Sequence, residues 1–179
     1  HNVRNSVAAI GVALTVGISI RAIKKGLSSF KGVQRRFNKV FTYNHIDYYD
    51  DYAHHPTEIK FVLDGLKNVY KNYEKICVFQ PHRISRLKDL RKEFSYSFLN
   101  ADVVILCPIF TAGEKIKLGF SYKTFAKEII KNSKVKLFLV NDNIELAKFL
   151  KHLSGKKIVV GMGAGSISNW MKNLPKLIK

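Results

Sequence analysis

The stretch Asp50-Asp51-Tyr52-Ala53-His54-His55-Pro56-Thr57-Glu58-Ile59 sets two acids and two imidazoles between a β-rich run and a helix. Upstream, Ile46 to Tyr49 continues an aromatic and β-branched segment. Downstream, Pro56 suits the first helical position, because its fixed φ matches a helix and its missing N–H would go unpaired there anyway. Ile59, Val62, Leu63, Leu66, Val69 and Tyr70 then recur at steps of three and four, which makes one helix face apolar. The polar decapeptide is therefore a strand-to-helix loop, the position where α/β proteins place their chemistry.

The same alternation continues to the C-terminus. Strands are expected at Ile46–Tyr49, Lys75–Phe79, Asp102–Leu106, Val135–Val140 and Lys157–Val160. Helices are expected between them, at Pro56–Tyr73, Ile84–Leu99, Tyr122–Lys131 and Ile144–Leu153, with a short last one near Ile167–Asn173. Short, nearly all-apolar strands separated by amphipathic helices predict a mostly parallel sheet covered on both faces, a Rossmann-like α/β domain. Asn38 to His45 reads as a short hairpin leading into the organising loop, and the domain is drawn from residue 41 to 179. The first 40 residues, with helices expected around Val7–Ile20 and Ile20–Ser29, are too few for a core and read as the helical tail of another domain. In the first of these helices Val7, Ile10, Leu14 and Ile18 follow helical spacing with small residues between them, which predicts a close-packed core helix and a run too short for a bilayer. The chain opens without methionine and almost directly on a helix, so a preceding segment is expected.

Charge is the unusual bulk property: +18 over 179 residues, from seven arginines and 24 lysines against 13 acids. Lysine is a mobile point charge, whereas arginine forks onto phosphates. Most of these lysines are read as solvating helix faces, with attraction to polyanions as the alternative. Cys77 and Cys107 sit inside apolar runs and are expected as buried, reduced thiols. They form no disulfide framework or metal-ligand spacing, and no metal site is predicted.

Four further stretches carry candidate chemistry. Asn2 opens the first helix, where an N-cap is the plain reading. Arg35-Arg36 before Phe37 is either a solvated pair or a phosphate fork. In Gln80-Pro81-His82-Arg83-Ile84-Ser85-Arg86, Arg83 and Arg86 lie three apart on a helix they open, an arrangement suited to anions at a helix N-terminus. Gly161-Met162-Gly163-Ala164-Gly165 lets backbone approach closely, but it stands near the C-terminus rather than in a first βα unit, against a dinucleotide site. Glu114, in Phe110-Thr111-Ala112-Gly113-Glu114, would orient a basic partner or stand exposed.

Taken in order, His1–Asn5, Gly32–Phe37, Asp50–Glu58, Phe79–Arg86 and Ala112–Glu114 resemble motifs of the Mur ligase family, in its L-alanine-adding branch. The resemblance spans essentially the whole chain. It implies an ATP-dependent, cytoplasmic amide ligase of peptidoglycan synthesis that phosphorylates the carboxylate of UDP-N-acetylmuramate and joins it to L-alanine. It assigns Asn2 to the adenine side, Asp51 to the ATP ribose and Arg36 to the phosphates. His54, His55, His82, Arg83 and Arg86 fall on the substrate-facing side of the cleft. For Asp51 the plain alternative is a loop cap, and for the two histidines a packed hinge. Ser166 replaces the acid that the family has after its Gly-Ala-Gly. Magnesium is implied, with ligands mainly outside these residues, since no Gly-x-x-x-x-Gly-Lys-Ser/Thr loop occurs here. The implied domains are the C-terminal tail of an ATP-binding domain, 1–40, and the family's C-terminal domain, 41–179, together inactive alone. A sibling ligase acting on another muramoyl substrate is the alternative within the family. A basic nucleic-acid module is the alternative outside it, with only net charge behind it.

Overall fold

The computed structural model describes residues 2–30, 32–115 and 121–178, except the Asn2 side chain. The chain divides into two compact units, 1–34 and 35–179. The division falls six residues upstream of the boundary drawn from the sequence.

The first unit holds α1 (Asn2–Thr15) and α2 (Ile20–Ser29), the latter capped by Ser19, whose hydroxyl accepts from Ala22 N. The expectation of a close-packed core helix is not met. Val3, Val7 and Val12 are 76, 63 and 66% exposed, and no described residue of this unit is buried. Two helices alone cannot surround one another's apolar faces.

The second unit is a six-stranded sheet in the order β1-β2-β6-β3-β4-β5, formed by β1 (Asn38–Tyr43), β2 (Ile46–Asp51), β3 (Glu74–Phe79), β4 (Val103–Leu106), β5 (Lys136–Leu139) and β6 (Lys157–Met162). The β1–β2 hairpin is antiparallel and every other pairing is parallel. Its turn places Asn44 and His45 in the left-handed region. All five predicted strands are present.

Alternate residues of the central strands face opposite layers, which is why those strands are apolar throughout. Cys77, Phe79, Val104, Leu106, Ile158 and Val160 pack with α3 (Pro56–Val69), α5 (Arg91–Tyr96) and α6 (Tyr122–Ser133). Ile76, Val78, Val103, Ile105 and Val159 pack with α7 (Asn143–Lys151) and α8 (Ile167–Ile178). Both cysteines are free and buried, and burial raises both thiol pKa values.

Two helices differ from the reading of the sequence. The expected Ile84–Leu99 helix is two six-residue pieces, α4 (Ile84–Asp89) and α5, meeting at Leu90. No glycine or proline marks the break; Leu90 turns into the core while Arg91 forks onto Glu128 of α6 at 2.6 and 2.8 Å. The last helix runs past Asn173 to Ile178 with Pro175 inside it, held by buried Met171, Leu174 and Ile178. No helix among the described residues is long and apolar enough to cross a membrane.

β6 enters the sheet between β2 and β3, so the strand order reverses at the place where ligands gather in α/β sheets. Asp51, Met162 and Phe79 are direct neighbours across these three strands. The loops that follow them therefore emerge side by side.

Leu63 is fully buried under the sheet. Leu63→Ala should lower the unfolding free energy in urea by about 3 kcal/mol, whereas Val7→Ser on exposed α1 should change it by less than about 0.5 kcal/mol.

Candidate functional site

The loop after β2 is built on two buried acids. Asp51 Oδ2 accepts the Phe37 N–H at 2.8 Å and Oδ1 accepts the Ala53 N–H at 2.7 Å. Burial raises its pKa against the lowering effect of these amide bonds. Asp50 faces the opposite layer, where Ser168 of α8 donates to its Oδ2 at 2.5 Å and Arg35 Nε stands 3.9 Å away. Arg35 also donates to the Gly163 carbonyl at 2.6 Å, and its guanidinium lies 4.7 Å from the Tyr52 ring centre. Arg36 is more exposed, 5.8 Å from the same ring centre and 4.0 Å from Glu58.

His55 caps α3. Its Nδ1 accepts from Thr57 N, while Glu58 accepts from the backbone of both His54 and His55. This reciprocal arrangement closes the helix start and gives His55 a structural task in the described residues. The His54 side chain is 18% exposed. Its Nδ1 lies 2.8 Å from the Tyr52 carbonyl, an acceptor, so Nδ1 carries the proton and the neutral ring keeps its lone pair on Nε2.

His82 meets His54 edge-on at 5.8 Å and stacks on Phe110 at 5.5 Å. Arg86 Nη1 lies 3.3 Å from His82 Nδ1 and can only donate, so the neutral ring carries its proton on Nε2. Burial, then the Arg86 charge, lowers the His82 pKa. Thus the loops after β2 and β3 bring the His54 and His82 rings to 5.8 Å, with Arg86 beside His82.

Arg83 takes φ 68, ψ 133, a costly conformation for a residue with a Cβ. It is held there by its N–H bond to the Phe110 carbonyl at 2.9 Å. The expected anion site at this helix start is already filled. Glu114 accepts from Ser85 N at 3.0 Å and Ser85 Oγ at 2.6 Å, which also lowers its carboxyl pKa. α4 is capped from within the chain, and Arg83 is left exposed.

The glycines after β6 serve close packing. A Cβ on Gly165 would fall 2.5 Å from Phe110 and 2.6 Å from Gln80 Oε1, and one on Gly163 would fall 2.7 Å from the Gln80 carbonyl. Gln80 is what they approach: its Oε1 accepts from Ile167 N at 2.9 Å and its Nε2 donates to Ser166 Oγ at 3.0 Å. Ser166 thus binds the β3 loop to the start of α8. A cleft of about 700 Å³ lined by Lys71, Glu74, Lys75, Asp102, Lys134 and Lys136 opens at the starts of β3 and β5, away from these loops.

Comparisons with known proteins give the family and the fold. The family model described as Mur ligase, glutamate ligase domain, matches residues 35–165. The chain belongs to the Mur ligase family. It is 70% identical over 179 residues to the UDP-N-acetylmuramate–L-alanine ligase of Pelagibacter ubique, a match covering 99% of this chain and 39% of that protein. Among solved structures it resembles the UDP-N-acetylmuramate-alanine ligase of Thermotoga maritima with a TM-score of 0.77 and 28% identity, over 98% of this chain and 37% of that one. It shares the fold of the murein peptide ligase of Psychrobacter arcticus, with a TM-score of 0.73 and 23% identity, over 99% of this chain and 37% of that one. The chain spans about two fifths of the length of the relatives it matches.

In this Mur ligase chain the structure gathers His54, His82 and Arg86, sets Arg83 and Arg36 exposed beside them, and commits His55 and Asp51 to backbone bonds. The resemblance to the family around His1–Asn5 rests partly on His1 and on the Asn2 side chain, which lie outside the described residues. Among the described residues no group of three or more His, Cys, Asp or Glu is arranged to hold a metal ion, and Asp51 already spends an oxygen on each of two amides. Magnesium does not fit a site made by these residues alone. Reading the sequence missed Arg35, Phe110 and Gln80. The signals were weak: a doubled arginine, an aromatic before the Ala-Gly-Glu loop, and a polar residue directly after an apolar strand.

Asp51→Asn is nearly isosteric but turns an NH₂ toward one of two backbone N–H donors, and should lower stability in urea by about 2 kcal/mol. His82 should titrate by NMR below the ordinary value of 6.5, and Arg86→Leu should raise its midpoint. Because the unfolded chain binds the proton more readily, the stability from neutral His82 is complete above 6.5 and lost as pH falls through its lower folded value.

Proposed function

We propose that this chain is the C-terminal part of a cytoplasmic, ATP-dependent ligase that joins L-alanine to UDP-N-acetylmuramate in peptidoglycan synthesis. The observation that carries the proposal is the grouping of His54, His82 and Arg86 at the ends of β2 and β3, in a chain 70% identical to a ligase of that name. That a protein named for L-alanine addition is 70% identical over 99% of this chain favours L-alanine addition over the sibling reaction.

Such a ligase transfers the γ-phosphoryl of ATP to the muramate carboxylate. The amino nitrogen of L-alanine then attacks the acyl carbon and phosphate leaves. Arg36, Arg83 and Arg86 supply guanidinium forks for phosphate and carboxylate oxygens. The alanine ammonium must lose a proton before attack, and the Nε2 lone pair of His54 accepts it, with His82 Nε2–H as the neighbouring donor. Asp51 accepts a ribose hydroxyl on a remaining lone pair, and the family resemblance assigns Asn2 to the adenine. Magnesium would be held by ligands outside these residues and would supply neutralisation of phosphate charge. The P-loop, absent from these residues, is needed for turnover, so the chain alone is inactive.

The test is a chimera in which this chain replaces the corresponding C-terminal part of the Pelagibacter ubique ligase. With UDP-N-acetylmuramate, ATP and magnesium it should release phosphate only when L-alanine is added. Arg86→Ala should lower kcat/KM by about 100-fold. Release indifferent to L-alanine, or turnover by the chain alone, would contradict the proposal.

A further inference from the structure

Residues 35–37 run in a conformation that only outside bonds can hold. Arg35 and Phe37 are both left-handed, φ 60 and 52, on either side of Arg36. Side chains with a Cβ disfavour this region, and such residues persist where their surroundings over-determine them. Each residue of the tripeptide is tied down. The Arg35 carbonyl accepts from Tyr52 N at 2.7 Å, Arg36 N donates to Asn38 Oδ1 at 3.0 Å, and Phe37 N donates to Asp51. The Phe37 ring stacks on Tyr49 at 4.2 Å.

The Arg35 side chain closes this set. One guanidinium nitrogen reaches the Gly163 carbonyl, its central carbon stands 4.7 Å over the Tyr52 ring centre, and Nε points toward Asp50, which Ser168 ties to α8. Arg35 Nε and Asp50 Oδ1 are buried with no hydrogen-bond partner. The charge of Arg35 is thus spent inside the protein, whereas the Arg36 side chain is 42% exposed beside it.

We infer that Arg35 is a positioning residue acting through Arg36: it fixes the left-handed backbone on which Arg36 is presented and couples it to the turn after β6. The inference rests on the assignment of Arg36 to the nucleotide phosphates. Arginine is required because one nitrogen must reach the Gly163 carbonyl while another faces Asp50 and the group stands over the Tyr52 ring, which a single lysine ammonium cannot do.

Two readouts test it. In the chain itself, Arg35→Lys should speed hydrogen exchange of the Phe37 and Tyr52 amides by about tenfold, leaving the core amides of Val78 and Ile105 unchanged. In the chimera, Arg35→Lys should lower kcat/KM for ATP by about tenfold and leave the KM for L-alanine within about twofold. Added to Arg36→Ala it should cause no further loss, because both act along one route. Unchanged exchange at Phe37 and Tyr52 overturns the anchoring and leaves the phosphate assignment standing. Losses that multiply overturn the route through Arg36. Arg36→Ala with intact ATP kinetics overturns the phosphate assignment and that route with it.

Discussion

Asp51 accepts the Phe37 N–H with one carboxylate oxygen and the Ala53 N–H with the other, and the arrangement of the strand-end loops follows from those two bonds. The first fixes where the segment before β1 meets the sheet. The second turns the chain out of β2 and places His55 to cap α3. A neutral side chain of the same shape offers only one such acceptor, so both bonds require a carboxylate. Asp50, one residue earlier, points into the other layer and draws in Arg35 and Ser168. The doubled acid therefore ties both layers of the domain to one loop.

The neighbouring loops are held by equally local chemistry. Gln80 bridges β3 to the start of α8, and glycines at 163 and 165 make room for it. Glu114 occupies the α4 start and leaves Arg83 and Arg86 free of that task. In a chain of net charge +18, the few acids near the site are nearly all committed to backbone or hydroxyl donors, and Arg36 and Arg83 face outward among them. Preorganised cations beside an imidazole pair suit a reaction whose charge develops on phosphoryl and acyl oxygens.

Much of this was legible in the sequence because it rests on periodicity. Apolar strands separated by amphipathic helices give the layers directly, and Pro56 with Glu58 marks the start of α3. The strand-end position of His54, His82 and Arg86 followed from the same pattern. Partners distant in sequence were not legible. Nothing in Asp50-Asp51 tells that one acid faces Phe37 and the other Ser168, more than a hundred residues away. Gly163 and Gly165 read as ligand-approach glycines until Gln80 and Phe110 are seen against them. The apolar spacing of α1 predicts a buried face, but spacing does not say whether the covering surface belongs to the same residues.

The central claim is that a backbone-committed Asp51 and an anchored tripeptide present Arg36 to nucleotide phosphates. The most direct measurement is a crystal structure of the chimera with a non-hydrolysable ATP analogue, magnesium and UDP-N-acetylmuramate. The account predicts an Arg36 guanidinium nitrogen within about 3 Å of a phosphate oxygen, with the Phe37 and Ala53 bonds to Asp51 kept. A complex in which Arg36 stays on Tyr52 and Glu58 while the phosphates meet none of Arg36, Arg83 or Arg86 would contradict it.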